Sequence, residues 1–450
     1  MSLIDTVQLN KKLPFYCDYV EEMDAVKFYE CSYKATGTSY TMGEAPDGSI
    51  IHRYDCEENK DYKLRCKQTP TRSYVSSIIN KYNSSVFRNE PSRLTSNSTY
   101  ELLLSDADGY GNSLNVILTK ALLKAQIQGS CYLLADSTAT DTEILTLAQQ
   151  QAAGVRPYIR VIEKEAVVAY EEVEKKLVSA IVLLEDSEGK TFARYMDSES
   201  FIDISIDSKY KVTSISESYS HGYSNIPLAE IEPFEDAQAK AISYNQRTIV
   251  NILSLLMQEV KEKTFTQHVL SGVKIPTDEQ GNKQTTMNFG SKRLIVLEDS
   301  SAKVDTIGSD VAQSQSLRDQ IQLESDNLYQ SAGFGKQNED TSNLSGYALS
   351  ILREDFFLNC SALKTAMEQA ENYIMSIIAD KEGFEYVPAI YSSRYIVDDN
   401  GAELLKLRDI LAMDLPATFK NLAVKEYISK FYNVSKEDTM KIEQELIGVQ

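Results

Sequence analysis

The stretch from Leu344 to Glu382 restricts the possible folds of this chain more than any other part of it. It contains no proline, and Leu349, Leu352, Phe356, Cys360, Leu363, Met367, Ala370, Ile374 and Ile377 recur at intervals of three or four. That spacing lays one apolar stripe along one side of a helix. Ser342 or Ser345 can cap its start, and Gly383 stands where a C-cap glycine belongs. A single helix over this run would be roughly 50 Å long at 1.5 Å per residue, far beyond the usual length of about three turns. A spine of that length suits an elongated subunit that packs side by side with copies of itself. The same stripe also suits the central helix of an ordinary α/β protein, and spacing alone does not separate the two. Just before it lies a polar loop, Gly333-Phe334-Gly335-Lys336-Gln337-Asn338-Glu339-Asp340-Thr341-Ser342-Asn343.

The pattern elsewhere is mixed. Residues 1–70 are polar and aromatic, with short apolar runs and turn signals at Thr36-Gly37, Met42-Gly43 and Pro46-Asp47-Gly48. Tyr74, Ile78, Ile79, Tyr82 and Val86 predict an amphipathic helix that ends before Pro91. A sharp loop, Asp106 to Asn112, precedes a predicted helix from Leu114 to Gln128, with Val116, Leu118, Leu122 and Ala125 among its apolar positions. Gly129 ends that helix, and Cys131 to Ala135 reads as a buried strand. Between 156 and 219 the period shifts to two. Tyr158 to Ile162, Leu177 to Leu184, Thr191 to Met196, Phe201 to Ile206 and Val212 to Tyr219 predict an antiparallel β region, with a hairpin turn at Asp186-Ser187-Glu188-Gly189, closed by Asn225-Ile226-Pro227-Leu228.

A second long helix is expected from near Glu235, with Ile242, Ile249, Ile252, Leu253, Leu256 and Val260 on one side, reaching as far as Leu270. A small β insert follows: Val273 to Pro276, a turn at Gln280-Gly281-Asn282, then Arg293 to Leu297. Another helix is expected from Asp310 to Ser331 through Val311, Leu317, Ile321 and Leu328. After Gly383 an extended segment from Tyr386 to Val397 leads to three short helices, Ala402 to Met413, Ala423 to Phe431 and Lys436 to Leu446. The fold class is therefore α+β. A small β element held on two helical legs, next to a loop and a spine, has the shape of a device rather than of a substrate pocket.

Chemistry is hard to find in this pattern. Six cysteines (17, 31, 56, 66, 131, 360) form no CxxC pair and there are three histidines, so neither a zinc site nor a disulfide framework is expected; the cysteines read as scattered, mostly buried thiols. Gly333-Phe334-Gly335-Lys336 lacks the phosphate-loop pattern, because Gln330 and Gln337 stand where glycine and Ser/Thr are required. Counting from Asp106, Tyr110 and Ile117 occupy calcium-loop positions that need oxygen ligands. Ser220-His221 are sequence neighbours, which rarely share a catalytic geometry, and Asp106/Asp108 and Asp186/Glu188 read as turn residues. No cofactor, no metal and no enzymatic activity is expected. No apolar run is long enough to span a bilayer and no N-terminal signal is visible, so a soluble, non-secreted chain is the expectation. The net charge of −20 disfavours duplex binding through a basic patch, yet it suits a passage through which DNA must slide with little friction.

Several of these segments, taken in order, resemble the portal proteins of tailed double-stranded DNA bacteriophages. They are Tyr62-Lys63-Leu64-Arg65 leading to Thr71-Arg72-Ser73-Tyr74; Val86-Phe87-Arg88-Asn89-Glu90-Pro91; Asp106-Ala107-Asp108-Gly109-Tyr110-Gly111-Asn112-Ser113-Leu114; Gly129 to Asp136; Asn225-Ile226-Pro227-Leu228 before a helix; and Ser345-Gly346-Tyr347-Ala348-Leu349 opening the longest helix. Their collinearity over residues 60–445 carries the resemblance, and the first 60 residues take no part in it.

The resemblance implies a phage portal fold: a mixed α/β wing (1–234, with 345–400 supplying the long helix and a return to the wing), a stem of two helices (235–258 and 308–332), a small α/β clip (259–307), a tunnel loop (333–344) and a short helical crown (401–450). It implies a ring, usually of twelve subunits, at one capsid vertex of the virion, assembled in the host cytoplasm, with double-stranded DNA passing along its axis during packaging and ejection. The implied partners are the terminase large subunit, then the head–tail adaptor, with the major capsid protein around the ring, a scaffolding protein during assembly, and no membrane. Gly333 to Asn343 would lie beside DNA, where Lys336 is outweighed by Glu339 and Asp340, so phosphate contact would be loose and independent of sequence; an ordinary exposed connector is the other reading. Lys274, Lys283 and Arg293 are candidate clip contacts for motor or adaptor, or plain solvated charges. The competing functions are another virion protein, such as an adaptor or capsid-associated subunit without a DNA channel, and an enzyme with a divergent site.

Overall fold

The structure, a computed structural model, describes residues 3–137, 156–264 (without 175, 187 and 188), 268–271, 280–281, 286–289, 292–297, 311–334, 354–392, 407–413, 416, 419–421 and 423–424. The chain is α+β. Its helices are α1 (Leu3–Asn10), α2 (Tyr19–Lys34), α3 (Gly37–Thr41), α4 (Asn59–Gln68), α5 (Tyr74–Val86), α6 (Ser98–Ser105), α7 (Leu114–Gln128), α8 (Ala239–Thr264), α9 (Val311–Ser331) and α10 (Glu354–Glu382). A small hairpin, β1 (Glu44–Ala45) and β2 (Gly48–Ser49), sits between α3 and α4.

Two antiparallel sheets are stacked beside the helices. The first has the order β11–β3–β4, with β3 (Cys131–Ser137) between β4 (Pro157–Glu163) and β11 (Leu228–Ile231). Strand alternation gives β3 two buried faces. Cys131, Leu133 and Ala135 join the helical core, whereas Tyr132 and Leu134 face the second sheet. The second sheet runs β10 (Tyr219–Ser220), β8 (Ser200–Ile206), β7 (Thr191–Met196), β6 (Lys176–Glu185) and β5 (Val167–Val173), with β9 (Val212–Ile215) also pairing β8. Ala180, Val182, Leu184, Met196 and Phe201 point at the first sheet. The opposite face, with Val168, Ile181, Ala193, Tyr195, Ile204 and Ile206, is covered by Val7 and Leu13 from the N-terminal segment. That segment crosses the sheet and bonds to it at two places: Val212 N donates to Lys11 O at 3.1 Å, and Tyr16 N donates to Val168 O at 3.0 Å. The layers are thus helices, three-stranded sheet, larger sheet and N-terminal cover.

In the helical body α8 is held by polar clamps as well as by Ile242, Ile249, Val250, Ile252 and Leu256. Gln246 accepts from the first-turn amides of α5, Tyr74 N at 2.7 Å and Val75 N at 3.1 Å, and donates to Ser32 O at 2.9 Å; it satisfies donors that a helix start leaves without an intrahelical partner. Arg247 pairs with Asp47 and donates to Ser49 O at 2.8 Å. Arg65 on α4 joins Glu57 in a buried bidentate pair and reaches Ser254 on α8 at 2.8 Å. The first 60 residues, whose role was not legible in the sequence, therefore supply much of the cradle of α8.

On α10, Phe356, Cys360, Leu363, Met367, Ala370, Ile374 and Ile377 are all buried, as the spacing predicts. The rest of the proposed run, from Leu344 to Arg353 and including Leu349, Leu352 and the capping Ser345, lies outside the described residues. Gly383 has φ +73°, and both Gly383 N and Phe384 N donate to Ala379 O, closing the helix with left-handed cap geometry. Glu371 is fully buried, paired with Arg93 at 2.7 and 3.1 Å; Asn115 on α7 accepts from Arg93 at 2.8 Å, and Tyr391 donates to Glu371 at 2.5 Å.

Several expectations are corrected. The α8 helix starts at Ala239 rather than near Glu235 and ends at Thr264; its expected reach to Leu270 is overturned, because His268–Ser271 forms strand β12. Its parallel pairing with β14 (Lys292–Leu297), which also pairs β13 (Thr286–Phe289), overrides the helical period. Val260 and Val116 lie on exposed flanks, not on the buried stripes. The Val212 to Tyr219 strand is two strands, and β5 and β11 are additional; β5 ends in Glu171-Glu172-Val173, followed by Glu174, which together look like a loop's charge run. Asn225 to Leu228 leads into β11 before the helix. Only Cys66, Cys131 and Cys360 are buried, and Cys17 and Cys56 are exposed. Val273 to Pro276, Val397 and the last two short helices lie wholly or mostly outside the described residues.

Two tests follow from these contacts. Arg93→Ala leaves the Glu371 carboxylate buried without its counter-charge, which costs about 3–5 kcal/mol; the urea midpoint of unfolding reads the loss. His221 is buried, accepts from Tyr223 N at Nδ1 (3.0 Å) and contacts Asp197 O through Nε2 (3.0 Å). That arrangement requires the neutral ring with its proton on Nε2. Desolvation by burial lowers its pKa below the usual imidazole value, so the unfolded chain binds this proton more readily. Stability is fully present above the unfolded imidazole pKa and falls as the pH drops through it and toward the lower folded value. His221→Asn flattens that part of the pH–stability curve, measured by thermal melts.

Candidate functional site

The helix α9 terminates with geometry that its last residues dictate. Gly333 has φ +74°, its N–H donates to Gln330 O at 2.9 Å, and Phe334 N donates to Tyr329 O at 2.9 Å. This is a Schellman ending, which needs a residue free to adopt positive φ and turns the next side chain back onto the helix. Here that side chain is Phe334. Its ring centroid lies 5.1 Å from that of Tyr82 on α5 and 5.1 Å from that of Phe356 on α10, and Tyr82 and Phe356 are 4.9 Å apart. Lys81 Nζ lies 4.3 Å above the Phe334 ring, a cation–π arrangement.

Tyr82 ties the cluster together. Its hydroxyl donates to Ala332 O at 2.5 Å and accepts from Asn359 Nδ2 at 3.2 Å. Burial pushes its pKa up to about 12, so the group stays a neutral donor. Gly333 is packed as tightly as its conformation is special: a Cβ there would stand 3.0 Å from Phe356 N and 3.0 Å from the Tyr82 hydroxyl. Glu354 and Asp355 occupy the first turn of α10, where negative charge complements the helix dipole. Phe334 after α9 and Phe356 in the first turn of α10 therefore meet on Tyr82, and this three-way contact is one pinned base.

Gly333 and Phe334 belong to that base. Gly335, Lys336, Gln337, Asn338, Glu339, Asp340, Thr341, Ser342 and Asn343 lie outside the described residues, as do Lys274 and Lys283. Arg293 falls on β14, where its backbone pairs with Asn288. The structure thus brings none of the three candidate clip cations into a described cluster. Sequence reading assigned Tyr82 and Phe356 to apolar stripes and missed their joint role. The available signal was the repeated order Gly-Phe after a helix, at Gly333-Phe334 and again at Gly383-Phe384.

The acidic loop at 106–112 spends its carboxylates on itself. Asp106 accepts from Gly109 N, Gly111 N and Arg156, and Asp108 accepts from Tyr110 N and Asn112. The Arg156 bond, before the backbone amides, holds Asp106 below the usual carboxylate range. Among the described residues no group of three or more His, Cys, Asp or Glu is placed to hold a metal ion, and no helix is long and apolar enough to cross a membrane.

Two substitutions test the pinned base. Tyr82→Phe removes the bond to Ala332 O and leaves a buried carbonyl unpaired, at about 1–3 kcal/mol. Gly333→Ala forces a side chain into a left-handed backbone, on the order of 1–3 kcal/mol before any clash is counted. Denaturant titration checks both, with proteolysis between 335 and 353 accelerating in each variant.

A family model described as phage portal protein, SPP1 Gp6-like, matches residues 34–398, from the end of α2 to beyond α10. No curated protein matches the chain.

Proposed function

The chain belongs to the phage portal protein family, SPP1 Gp6-like, and from that premise we propose that twelve copies close into a ring around a passage for double-stranded DNA. Portal proteins are structural, non-enzymatic components of the phage virion. They form an oligomeric ring at a capsid vertex and serve genome packaging with capsid and packaging components, and this chain is one of them. The observation that carries the finer reading is an order of elements: α8, a separate three-stranded sheet, α9 packed along α8, the pinned base at Gly333–Phe334, then α10.

In this reading 235–258 and 308–332 are the stem, and the insert 259–307 is the clip, where the terminase large subunit docks first and a head–tail adaptor later. Residues 1–234, with the long helix and the return to the wing in 345–400, form the wing against the major capsid protein. The last part, 401–450, is the crown. Gly333 to Asn343 is the tunnel loop. A scaffolding protein assists assembly in the host cytoplasm, and the chain catalyses no reaction of its own. A heterologous contact that closes on rotation gives a ring rather than a filament. The net charge of −20 supports a passage with few cationic contacts, since each Lys or Arg held on a phosphate adds affinity and salt dependence.

Electron images and native mass of the purified chain test the ring: a particle of twelve copies with a central hole is expected, and a monomer under assembly conditions contradicts it. Lys336→Ala tests the loop. Reduced packaging or retention of DNA, with rings intact, is expected; wild-type packaging makes 333–344 a connector.

A further inference from the structure

A groove of about 1010 Å³ lies between α4, the second half of α8 and the start of α9. Its floor is apolar and half-exposed: Leu64, Leu255, Met257 and Leu317. Its ionic lining is dominated by carboxylates. Glu57, Glu58, Asp61 and Glu259 outnumber Arg65 and Lys261, and the Arg65 charge is already taken up by Glu57 at 2.6 Å. Glu58 and Asp61 are exposed at the rim. The occupant this chemistry calls for is elongated, with a cationic edge and some aliphatic surface.

The other flank of α4 has that character. Lys60, Lys63 and Lys67 recur at three and four residues and are all exposed, so they form one row on the helix. At about 100° per residue the middle of that row lies about 100° around the helix from the middle of the Asp61, Leu64 and Gln68 stripe, which lines the groove. Lysine stems supply aliphatic surface while their ends carry the charge. One helix therefore carries a cationic edge and the wall of an acidic groove, turned about a quarter of the way around the helix from each other. A ring of identical copies needs two different, complementary surfaces facing opposite neighbours.

We propose that the Lys60–Lys63–Lys67 edge of α4 from one copy docks in the α4–α8–α9 groove of the next copy. The assignment rests on the ring reading above and adds which surfaces make the contact. Opposite charge across the contact steers subunits into a single head-to-tail order, because like-charged pairings of two edges or two grooves repel.

The test uses two full-length chains. In the first, K60E, K63E and K67E reverse the edge; in the second, E58K and D61K reverse the rim. Each alone sets like charge against like charge in every contact and is expected to lower the ring population, read by native mass and negative-stain images, by about tenfold or more per contact, ~1.4 kcal/mol. Mixing the two restores rings of alternating composition, since each reversed edge then meets a reversed rim. Circular dichroism checks that each chain is folded; if a multiple variant is not, the single K63E and D61K chains carry the same mixing test. Assembly of either variant alone at wild-type levels overturns the proposal, and so does failure of the mixture of folded chains to recover rings. If the wild-type chain forms no ring under any assembly condition, the ring reading itself falls; wild-type rings that ignore both reversals remove the docking assignment alone.

Discussion

Glu371 places a carboxylate in the middle of α10 where no solvent reaches it, and the packing around the long helix is arranged to neutralise it. An unpaired charge at that depth would cost several kcal/mol. Arg93 meets both oxygens, Asn115 steadies the guanidinium from α7, and Tyr391 supplies a further donor from the segment that follows α10. Burial holds the Tyr391 hydroxyl well above its usual pKa, so it remains a donor. Four separate parts of the chain must be in register for this network to form. An apolar stripe alone would tolerate a helix sliding by a turn; the pair at Glu371 does not.

The spines of the molecule were legible because each long helix buries one continuous side. Periodicity located α5, α7, α9 and the described part of α10 within a few residues, and the short β-branched runs located β4, β6, β7 and β8. Less legible were elements whose partners are distant in the chain. Strand β5 ends in a run of acids, yet it pairs along β6. Strand β12 carries a helix-compatible pattern but is captured by β14. Helix α2, with Met23, Val26, Phe28 and Tyr29 buried, hides in a polar and aromatic N-terminal region and ends on Ala35 in the left-handed conformation, without the usual glycine. The site base was half visible. The glycine and the rings could be read, but not their meeting, because Tyr82 and Ala332 are 250 positions apart.

The two stacked sheets show how an acidic, tyrosine-rich chain buries apolar residues in successive layers. Strand β3 buries both of its faces, so it joins the helices to the larger sheet through one shared layer. The larger sheet is sealed from outside by the N-terminal segment, which spends its backbone donors and acceptors on positions that would otherwise be open. Polar links reinforce the same layers: Arg194 bridges Asp203 on its own sheet and Asp136 on β3, and Lys381 at the end of α10 donates to Ser137 at 2.8 Å. The two sheets and α10 are thus one continuous packing unit.

The pinned base at Gly333, Phe334, Tyr82 and Phe356 joins α5, α9 and α10 at one place. Phe334 at the end of α9 and Phe356 at the start of α10 rest on the same Tyr82 ring, so that ring sets the spacing of the two helix ends. A change at Tyr82, on a third helix, therefore moves both helix ends together, and coupling of that kind lets one residue of α5 govern the geometry of two distant stretches of chain.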